Sequence, residues 1–341
     1  MKQRLEYIDT FRGLCIFAVV YGHIVLFGTN GGYVQTPVDA FMRVYFLVGF
    51  FFLSGLMAYK EGMLVNASDL WSLAQKKVRT LLIPSIVVNA IYTYWVTDSI
   101  SAMLCPWNLW VTWFTYVLFF ISIIYGVLLY VVQKAANTDV TQGSIVLVAV
   151  ASYLFSRTYG GSEYYDNVFR LGGLIYYLPF FFIGVLVKMH FDRFNMLMDK
   201  GYVQFAIFGV MALSFAIHSA PLIVRSLSTI LFMYSLSKNM SKMNTPSIAQ
   251  KWLMDMLGFL GKYSLEIYFV HFFLLFNLPI CYTEYMKLLA TDSCWYGHSS
   301  AGTVELIVVG TLSLLLAFAS VFIANLLKTI PFVGILMFGR K

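Results

Sequence analysis

The chain has 341 residues, of which 60% are hydrophobic and 11% are charged, and its mean hydropathy is +0.77. Soluble domains carry about 25% charged residues, so this chain has too little charge to cover a surface that faces water. Its net charge of +7 comes from scattered lysines and arginines, which argues against a nucleic-acid-binding protein. The composition predicts an integral membrane protein, and we expect residues 1–341 to form a single membrane domain.

Apolar runs long enough to cross a bilayer recur along the whole chain. A transmembrane helix needs about 20 apolar residues, and the first run is too long for a cleavable signal peptide. The sequence therefore predicts an all-α polytopic membrane protein with about ten transmembrane helices. The predicted spans are residues 11–29, 41–59, 80–97, 109–132, 143–157, 171–188, 202–218, 221–237, 258–277 and 304–327.

The positions of the basic residues agree with this span count and predict the orientation. With ten spans, most of the 23 lysines and arginines fall on the side that holds both termini. Basic loops are retained on the cytoplasmic side, so both termini are expected to be cytoplasmic. The basic residues on the other side or inside the membrane are Arg43, Arg157, Arg170, Arg225 and Lys287.

The four cysteines do not have the spacing of a metal or redox site. No Cys-x-x-Cys pair occurs, so we expect no zinc, and no other metal, to be bound. Cys281 and Cys294 lie in one predicted outer loop. A disulfide between them is an option if that compartment is oxidising.

The first predicted span carries the densest set of ionisable residues, and such residues inside a membrane indicate function. Arg12 and His23 are 11 residues apart, which places them on nearly the same helix face with a rise of about 16 Å. A cytosolic donor with phosphates could bind Arg12 while its reactive end reaches His23. Two other interpretations stay open: Asp9 and Arg12 form an i,i+3 ion pair at the helix start, and His23 is an ordinary buried histidine.

Two further segments hold candidate donor-binding residues. Ser54 and Gly55 lie in the second span, where small residues also allow close helix packing. Lys76, Lys77 and Arg79 lie in the loop before the third span. They form either a solvated cytoplasmic charge run or a phosphate clamp, in which arginine supplies a planar fork and lysine a point charge.

The ninth span contains Glu266, the sole acid well inside a predicted span, and His271. Five residues separate them, about 140° around a helix, so they face different neighbours. A structural and a catalytic role for Glu266 are both open.

The outer loop 157–170 combines charged residues with tyrosines, as expected for a sugar-binding surface or for interfacial anchors. The candidate acceptor-binding residues in this loop are Arg157, Glu163, Asp166 and Arg170.

Six short motifs, distributed over nearly the whole chain, carry a family resemblance. In chain order they are Asp9 with Arg12-Gly13 and His23, Phe51-Phe52-x-Ser54-Gly55, Lys76-x-x-Arg79 with Pro84, the aromatic segment Trp110 to Phe114, Tyr177-Leu178-Pro179-Phe180-Phe181-x-x-Gly184, and Gly261-Lys262-Tyr263-Ser264-x-x-Ile267-Tyr268-x-x-His271. Together they resemble the membrane-bound acyltransferase-3 family, whose bacterial members O-acylate glycans. The chain departs from that family's pattern at residues 44–49 and at Lys76, where the family has arginine.

The resemblance implies an acyl-coenzyme A donor, usually acetyl-coenzyme A, and an acceptor hydroxyl on a periplasmic or lipid-linked glycan. It also implies a bacterial inner membrane protein. On this basis Arg12, Lys76 and Arg79 hold the coenzyme A phosphates, and Ser54 is assigned to the same donor site. His23 is expected to act as general base or to carry the acyl group covalently. Asp9 would orient Arg12, and Glu266 or His271 would orient His23 or the acceptor.

Two other functions are compatible with a polytopic protein that has buried charges. A transporter or flippase of a glycan or small metabolite is the main alternative, although the paired repeats typical of transporters are absent from the sequence. A polyprenyl-phosphate glycosyltransferase would need an acidic outer loop after the first span. Loop 30–40 offers only Asp39 for that purpose.

Overall fold

The computed structural model is helical in all the regions that it describes, and no strand is formed there. Its helices include all ten predicted spans at least in part. The described residues are 5–28, 37–60, 66–103, 111–135, 138–159, 171–217, 219–243, 246–275 and 299–339. The helices are α1 (Glu6–Gly28), α2 (Pro37–Ala58), α3 (Ala67–Lys77), a π-helical segment (Val78–Leu82), α4 (Ile83–Thr97), α5 (Ile100–Met103), α6 (Trp113–Ala135), α7 (Thr138–Tyr159), α8 (Leu171–Met189), α9 (Phe191–Met198), α10 (Gly201–Ala216), α11 (Leu222–Ser241), α12 (Ile248–Lys262), α13 (Ser264–Leu275), α14 (Ser299–Thr329) and α15 (Val333–Phe338).

Seven helical stretches within the described residues are long and apolar enough to cross a membrane, and an eighth is added if α9 and α10, bent by 82°, count as one span. The protein is therefore an integral membrane protein. Helix α11 is long enough, but Arg225, Lys238 and its serines lower its hydropathy. The described part of α13 has 12 residues. The predicted count of ten spans and the cytoplasmic termini stay predictions.

The third predicted span begins earlier than the sequence indicated. Helix α3 starts at Ala67 and continues through the π-helical segment into α4, and the Asn66 N–H donates to the Asp69 carboxylate over 2.9 Å at its start. Lys76 and Arg79 were expected in a loop, which is wrong, because both lie in helical structure. The helix fixes the spacing of these basic residues in a way that a loop would not.

The described chain divides into two compact units. Unit 1 consists of residues 1–50 and 195–326, and unit 2 consists of residues 51–194 and 327–341. In unit 1, α1 packs against α11, α12 and α13. The side chains of Phe11, Cys15 and Tyr21 on α1 are fully buried. Helix α1 is therefore the central element of unit 1.

Two glycines let α1 and α12 pack backbone against backbone. A Cβ added at Gly13 would fall on the carbonyl of Leu257, and a Cβ added at Gly261 would fall on the carbonyl of Asp9. The packing of small residues is what allows membrane helices to approach this closely. The crossing fixes the position of α1, and thus of the predicted site residues on it, within unit 1.

Unit 2 contains a second crossing of the same kind. A Cβ at Gly55 on α2 would overlap the carbonyl of Phe181, and a Cβ at Gly184 on α8 would overlap the carbonyl of Phe52. Elsewhere in this unit α6 packs against α3 and α8, and α7 packs against α8. Gly55 and Gly184 are thus required by helix packing.

A polar network joins three helices of unit 1 at the bend between α9 and α10. Asp199 accepts from Lys238 over 2.8 Å and from Lys242 over 2.7 Å. The buried Lys238 also donates to the carbonyl of Asn195 over 2.8 Å. The Tyr234 hydroxyl donates to the Asn195 side chain over 2.9 Å and lies 3.2 Å from the Tyr7 hydroxyl. The network ties α9 to α11 and to the beginning of α1.

Candidate functional site

The beginning of α1 holds the first two predicted site residues. Arg12 Nη1 lies 3.7 Å from Asp9 Oδ1, so the i,i+3 ion pair is present. The Arg12 side chain is 30% exposed and that of Asp9 is 11% exposed. The guanidinium therefore remains partly accessible to a ligand while the carboxylate holds it in place.

His23, near the other end of α1, pairs with His271 of α13. Their Nδ1 and Nε2 atoms are 3.0 Å apart, and His271 Nδ1 lies 2.8 Å from the carbonyl oxygen of Ile267. A carbonyl can only accept, so His271 Nδ1 carries the proton and its Nε2 is left as an acceptor. His23 Nδ1 must then donate to His271. This chain of hydrogen bonds leaves the lone pair of neutral His23 on Nε2.

An aromatic ring and an ion pair lie close to His23. The Phe272 ring lies with its centroid 4.6 Å from that of His23. Next to His23 in sequence, the Gly22 carbonyl accepts from Arg43 Nη2 over 3.3 Å, and Arg43 Nε donates to the fully buried Asp39 over 2.6 Å. Sequence reasoning did not assign Arg43 or Asp39 to the site. Their i,i+4 spacing was the available signal.

The remaining predicted site residues are dispersed. Glu266 is fully buried on α13, and Ser54 is half-buried beside the Gly55 crossing in unit 2. Arg157 is exposed in the last turn of α7. Three further acceptor-binding candidates and both cysteines of the proposed disulfide lie outside the described residues. They are Glu163, Asp166, Arg170, Cys281 and Cys294.

A basic cavity of about 330 Å³ lies in unit 2. Three lysines line it, of which Lys76 and Lys77 belong to the charge run that the sequence offered as a phosphate clamp and Lys60 does not. Its volume is at the low end of the range for ligand pockets. The lining residues are Met57, Ala58, Lys60, Asp69, Ser72, Leu73, Lys76, Lys77, Thr80, Ser122 and Tyr125. The predicted Arg79 is not in this lining, and its side chain is exposed.

The cavity changes character with depth. Lys60 and Lys76 are exposed and Lys77 is half-buried, whereas Ser122 and Tyr125 are buried. Asp69 is also half-buried in the lining, so the more exposed end has a net positive charge, and the inner end presents neutral hydroxyl groups. Such a cavity suits a ligand that is anionic at one end and polar but uncharged at the other.

The π-helical segment contributes Thr80 to the lining of this cavity. Pro84 follows two residues after the segment and cannot donate a backbone hydrogen bond to the preceding turn, which favours a local change of helical register. The Thr80 hydroxyl instead donates to the Lys76 carbonyl over 2.9 Å. The segment also contacts the end of α15, because a Cβ at Gly339 would overlap the backbone of Arg79 and Thr80. The segment is thus held between the cavity and the C-terminal helix.

A second cavity of about 340 Å³ lies in unit 1 between α1 and α12. It is acidic, since three carboxylates and one lysine line it. The charge balance favours the basic cavity of unit 2, and not this one, as a phosphate site. Its lining residues are Glu6, Asp9, Thr10, Met254, Asp255, Gly258, Phe259 and Lys262.

No cluster of three or more His, Cys, Asp or Glu residues that could hold a metal ion occurs in the described part of the chain.

Comparison with known proteins gives one match, and it covers almost the whole chain. The family described as an acyltransferase domain matches residues 5–327. The chain belongs to the acyltransferase-3 family. This acyltransferase-3 chain is accordingly a membrane acyltransferase, as the six sequence motifs predicted. No curated protein and no solved structure gives a significant match.

The motifs of this acyltransferase-3 chain serve two different purposes. Gly13, Gly55, Gly184 and Gly261 are positions of helix crossing. The histidines of the first and last motifs instead meet each other across α1 and α13. Lys60 had no role assigned from the sequence, and Lys77 was named only within the charge run, because charged residues near a membrane surface are common. Only the folded cavity distinguishes them from other surface lysines.

Proposed function

We propose that the protein transfers an acyl group, most simply acetyl, from acyl-coenzyme A on the cytoplasmic side to a hydroxyl of a glycan or glycolipid on the outer side of a bacterial inner membrane. The proposal includes the ten-span topology with both termini in the cytoplasm. His23 is the general base. The hydrogen-bonded pair of His23 and His271 is the observation that carries the proposal.

The tautomer of the pair supports the role of His23 as a base. Because His271 is held by the Ile267 carbonyl, it accepts a hydrogen bond from His23 Nδ1. The lone pair on His23 Nε2 is then available for a proton from an acceptor hydroxyl. When His23 becomes an imidazolium, it keeps donating to His271, which stabilises the positive charge. General base catalysis of this kind contributes about 10²- to 10⁴-fold in rate.

The transfer step balances with these two histidines and the two substrates. His23 Nε2 takes the hydroxyl proton while the hydroxyl oxygen attacks the thioester carbonyl and forms the new ester bond. The carbon–sulfur bond breaks, and the coenzyme A thiolate receives the proton from His23. In the alternative mechanism, His23 Nε2 first takes the acyl group from the donor. A donor with a labelled acyl group, supplied without acceptor, would then leave the label on the protein.

The donor's phosphates are assigned to the basic cavity of unit 2. Lys60, Lys76 and Lys77 supply positive charge at its outer end, and ammonium groups bind phosphate as point charges. This modifies the expectation from the sequence, which combined Lys76 with Arg79. Arg12 is retained as a donor-binding residue because its guanidinium is partly exposed beside Asp9.

The acceptor side is assigned from the sequence. Arg157 lies exposed at the end of α7, and the loop that follows carries the other charged candidates together with several tyrosines. Tyrosine rings and carboxylates are suited to binding sugar hydroxyls. The acceptor is therefore proposed to be a saccharide.

The test is release of free thiol from acetyl-coenzyme A by purified protein in lipid nanodiscs with a saccharide acceptor. The proposal predicts acceptor-dependent thiol release by the wild type and a rate lower by about 10²- to 10⁴-fold in His23→Ala. If His23→Ala releases thiol at the wild-type rate, the mechanism is wrong. Movement of saccharide across proteoliposomes without thiol release would instead support the transporter.

A further inference from the structure

The inner end of the basic cavity contains a hydroxyl group that lacks a partner within the described residues. Tyr125 is 2% exposed and lines the cavity, and its hydroxyl oxygen is buried without a hydrogen bond there. Buried polar groups are almost always paired in folded proteins, because an unpaired group loses its bonds to water without replacement. A lone buried hydroxyl of a cavity-lining residue is completed by what fills the cavity, which is water in the empty protein and a ligand when one is bound.

Ser122, three residues before Tyr125 on α6, is also buried and also lines the cavity. Its Oγ donates to the Leu118 carbonyl over 2.7 Å, so its proton is used and its lone pairs remain to accept. Tyr125 can donate its own proton. The inner end therefore offers one donor and one acceptor on neighbouring turns of a helix. The Tyr125 hydroxyl needs an acceptor, and the carbonyl oxygen of an amide is a strong one.

The charge distribution along the cavity defines the rest of the ligand. The three lysines lie toward the outer end, while the buried lining residues are Leu73, Ser122 and Tyr125. A phosphate at the inner end would be buried beside neutral groups, which is unfavourable for a charge. At the outer end it would meet the lysines. The ligand thus has a phosphorylated end outside and an amide-bearing arm inside.

We propose that the inner end of this cavity binds an amide of the donor's pantetheine arm, with Tyr125 donating to the amide carbonyl. This rests on the proposed function, because it takes acyl-coenzyme A as the donor. Tyr125 is then a residue that selects donors with an amide-bearing arm over other phosphorylated acyl donors.

The test compares two ligands on the full-length protein in nanodiscs. Coenzyme A has the pantetheine arm, and adenosine 3′,5′-bisphosphate has two of its three phosphates without that arm. Tyr125→Phe is expected to weaken coenzyme A binding by about tenfold, the loss of one good hydrogen bond, and to leave the bisphosphate unchanged. Lys76→Gln is expected to weaken both ligands. Calorimetric titration gives both dissociation constants.

Controls separate ligand binding from folding. Tyr116→Phe, on the same helix but outside the cavity lining, should bind both ligands as the wild type does. Tyr125→Phe without ligand should melt at or above the wild-type temperature, because it removes an unpaired hydroxyl. A lower melting temperature would mean that the protein itself satisfies this hydroxyl, which overturns the proposal.

The binding results also distinguish this proposal from the proposed function. The amide site is wrong if Tyr125→Phe binds both ligands as tightly as the wild type does, or if its affinity for both falls equally. It is also wrong if the wild type binds neither ligand. If the wild type binds coenzyme A through Tyr125 but releases no thiol with any acceptor, the amide site stands and the acyl transfer fails.

Discussion

Gly261 of α12 lies directly against the backbone of α1 at Asp9, and Gly13 of α1 lies equally close to Leu257 of α12. The two contacts are reciprocal, so neither helix can rotate or slide without driving one backbone into the other. Because Asp9, Arg12 and His23 all project from α1, this crossing sets the position of each of them within unit 1.

Alanine at either glycine is expected to destabilise the protein. The added Cβ overlaps a backbone carbonyl, which cannot move aside as a flexible side chain could, so we expect a loss of about 1–3 kcal/mol for Gly13→Ala or Gly261→Ala. Thermal unfolding in detergent measures the effect. The control is Gly209→Ala, where a Cβ meets nothing within 4 Å. An equal loss of stability in Gly209→Ala would show that backbone flexibility, and not the helix crossing, is the reason for the glycines at positions 13 and 261.

The histidine pair predicts graded effects of substitution at His271. His271→Gln places an oxygen near the position of Nε2 and can still accept from His23, whereas His271→Leu cannot. We expect His271→Gln to retain more of kcat than His271→Leu, and His23→Ala to lose about 10²- to 10⁴-fold. Initial rates of thiol release at saturating donor measure this.

The melting temperatures of the two His271 variants serve as the control for folding. Equal kcat values for glutamine and leucine, with both proteins folded, would contradict a role for the hydrogen bond that orients His23.

The basic cavity predicts a selective change in the KM for the donor. Lys76→Gln removes a charge from the cavity and should raise the donor KM by about tenfold or less, as expected for a partly exposed charge contact with phosphate. The effect should shrink at high salt. The matched change Lys188→Gln removes a lysine that lies over the Phe191 ring, away from the cavity lining. If both changes raise the KM equally, net charge alone is responsible.

Lys238 and Lys242 give a second matched pair, because both bind Asp199 but differ in burial. The Lys238 side chain is 8% exposed and that of Lys242 is 52% exposed. Lys238→Met should destabilise by about 1–3 kcal/mol, since the Asn195 carbonyl also loses its donor. Lys242→Met should change stability by less than about 0.5 kcal/mol. Similar losses for both variants, measured by thermal unfolding, would contradict a network held by buried bonds.

Asp199 also predicts a dependence of stability on pH. Burial raises its pKa, but the hydrogen bonds from Lys238 and Lys242 and their positive charges outweigh this and lower the pKa overall. A lowered pKa in the folded state stabilises the protein above the unfolded value of about 3.9, and this contribution is lost as the pH falls through the folded pKa. The loss is small, because Asp199 is 38% exposed. Asp199→Asn should flatten this part of the stability curve, and an unchanged acid limb would contradict it.

The long helices could be predicted from the sequence because hydropathy is a local property. The spans predicted at 11–29 and 304–327 fall within the helices Glu6–Gly28 and Ser299–Thr329 to within a few residues. The start of the third helix at Ala67 was missed, since its first turns are polar and amphipathic. The family was recognised because its motifs are short, ordered and spread over nearly the whole chain.

The contacts that make a site were harder to predict, because they join residues that are distant in sequence. His23 and His271 are 248 residues apart, and helical spacing says nothing about which helices meet. Lys60 becomes a candidate for ligand binding only through the cavity that it shares with Lys76 and Lys77. Tyr125 has no sequence signal at all, because an aromatic residue in a membrane helix is ordinary.

The close contact of Gly339 with the backbone of Arg79 and Thr80 joins two segments that lie far apart in the sequence. Residue 339 has φ of +66° as well, so any other side chain there would meet both backbone strain and overlap. Related proteins with a larger residue at this position are therefore expected to carry compensating changes around residues 79 and 80. We therefore expect residues of α15 and of the π-helical segment to covary among related sequences.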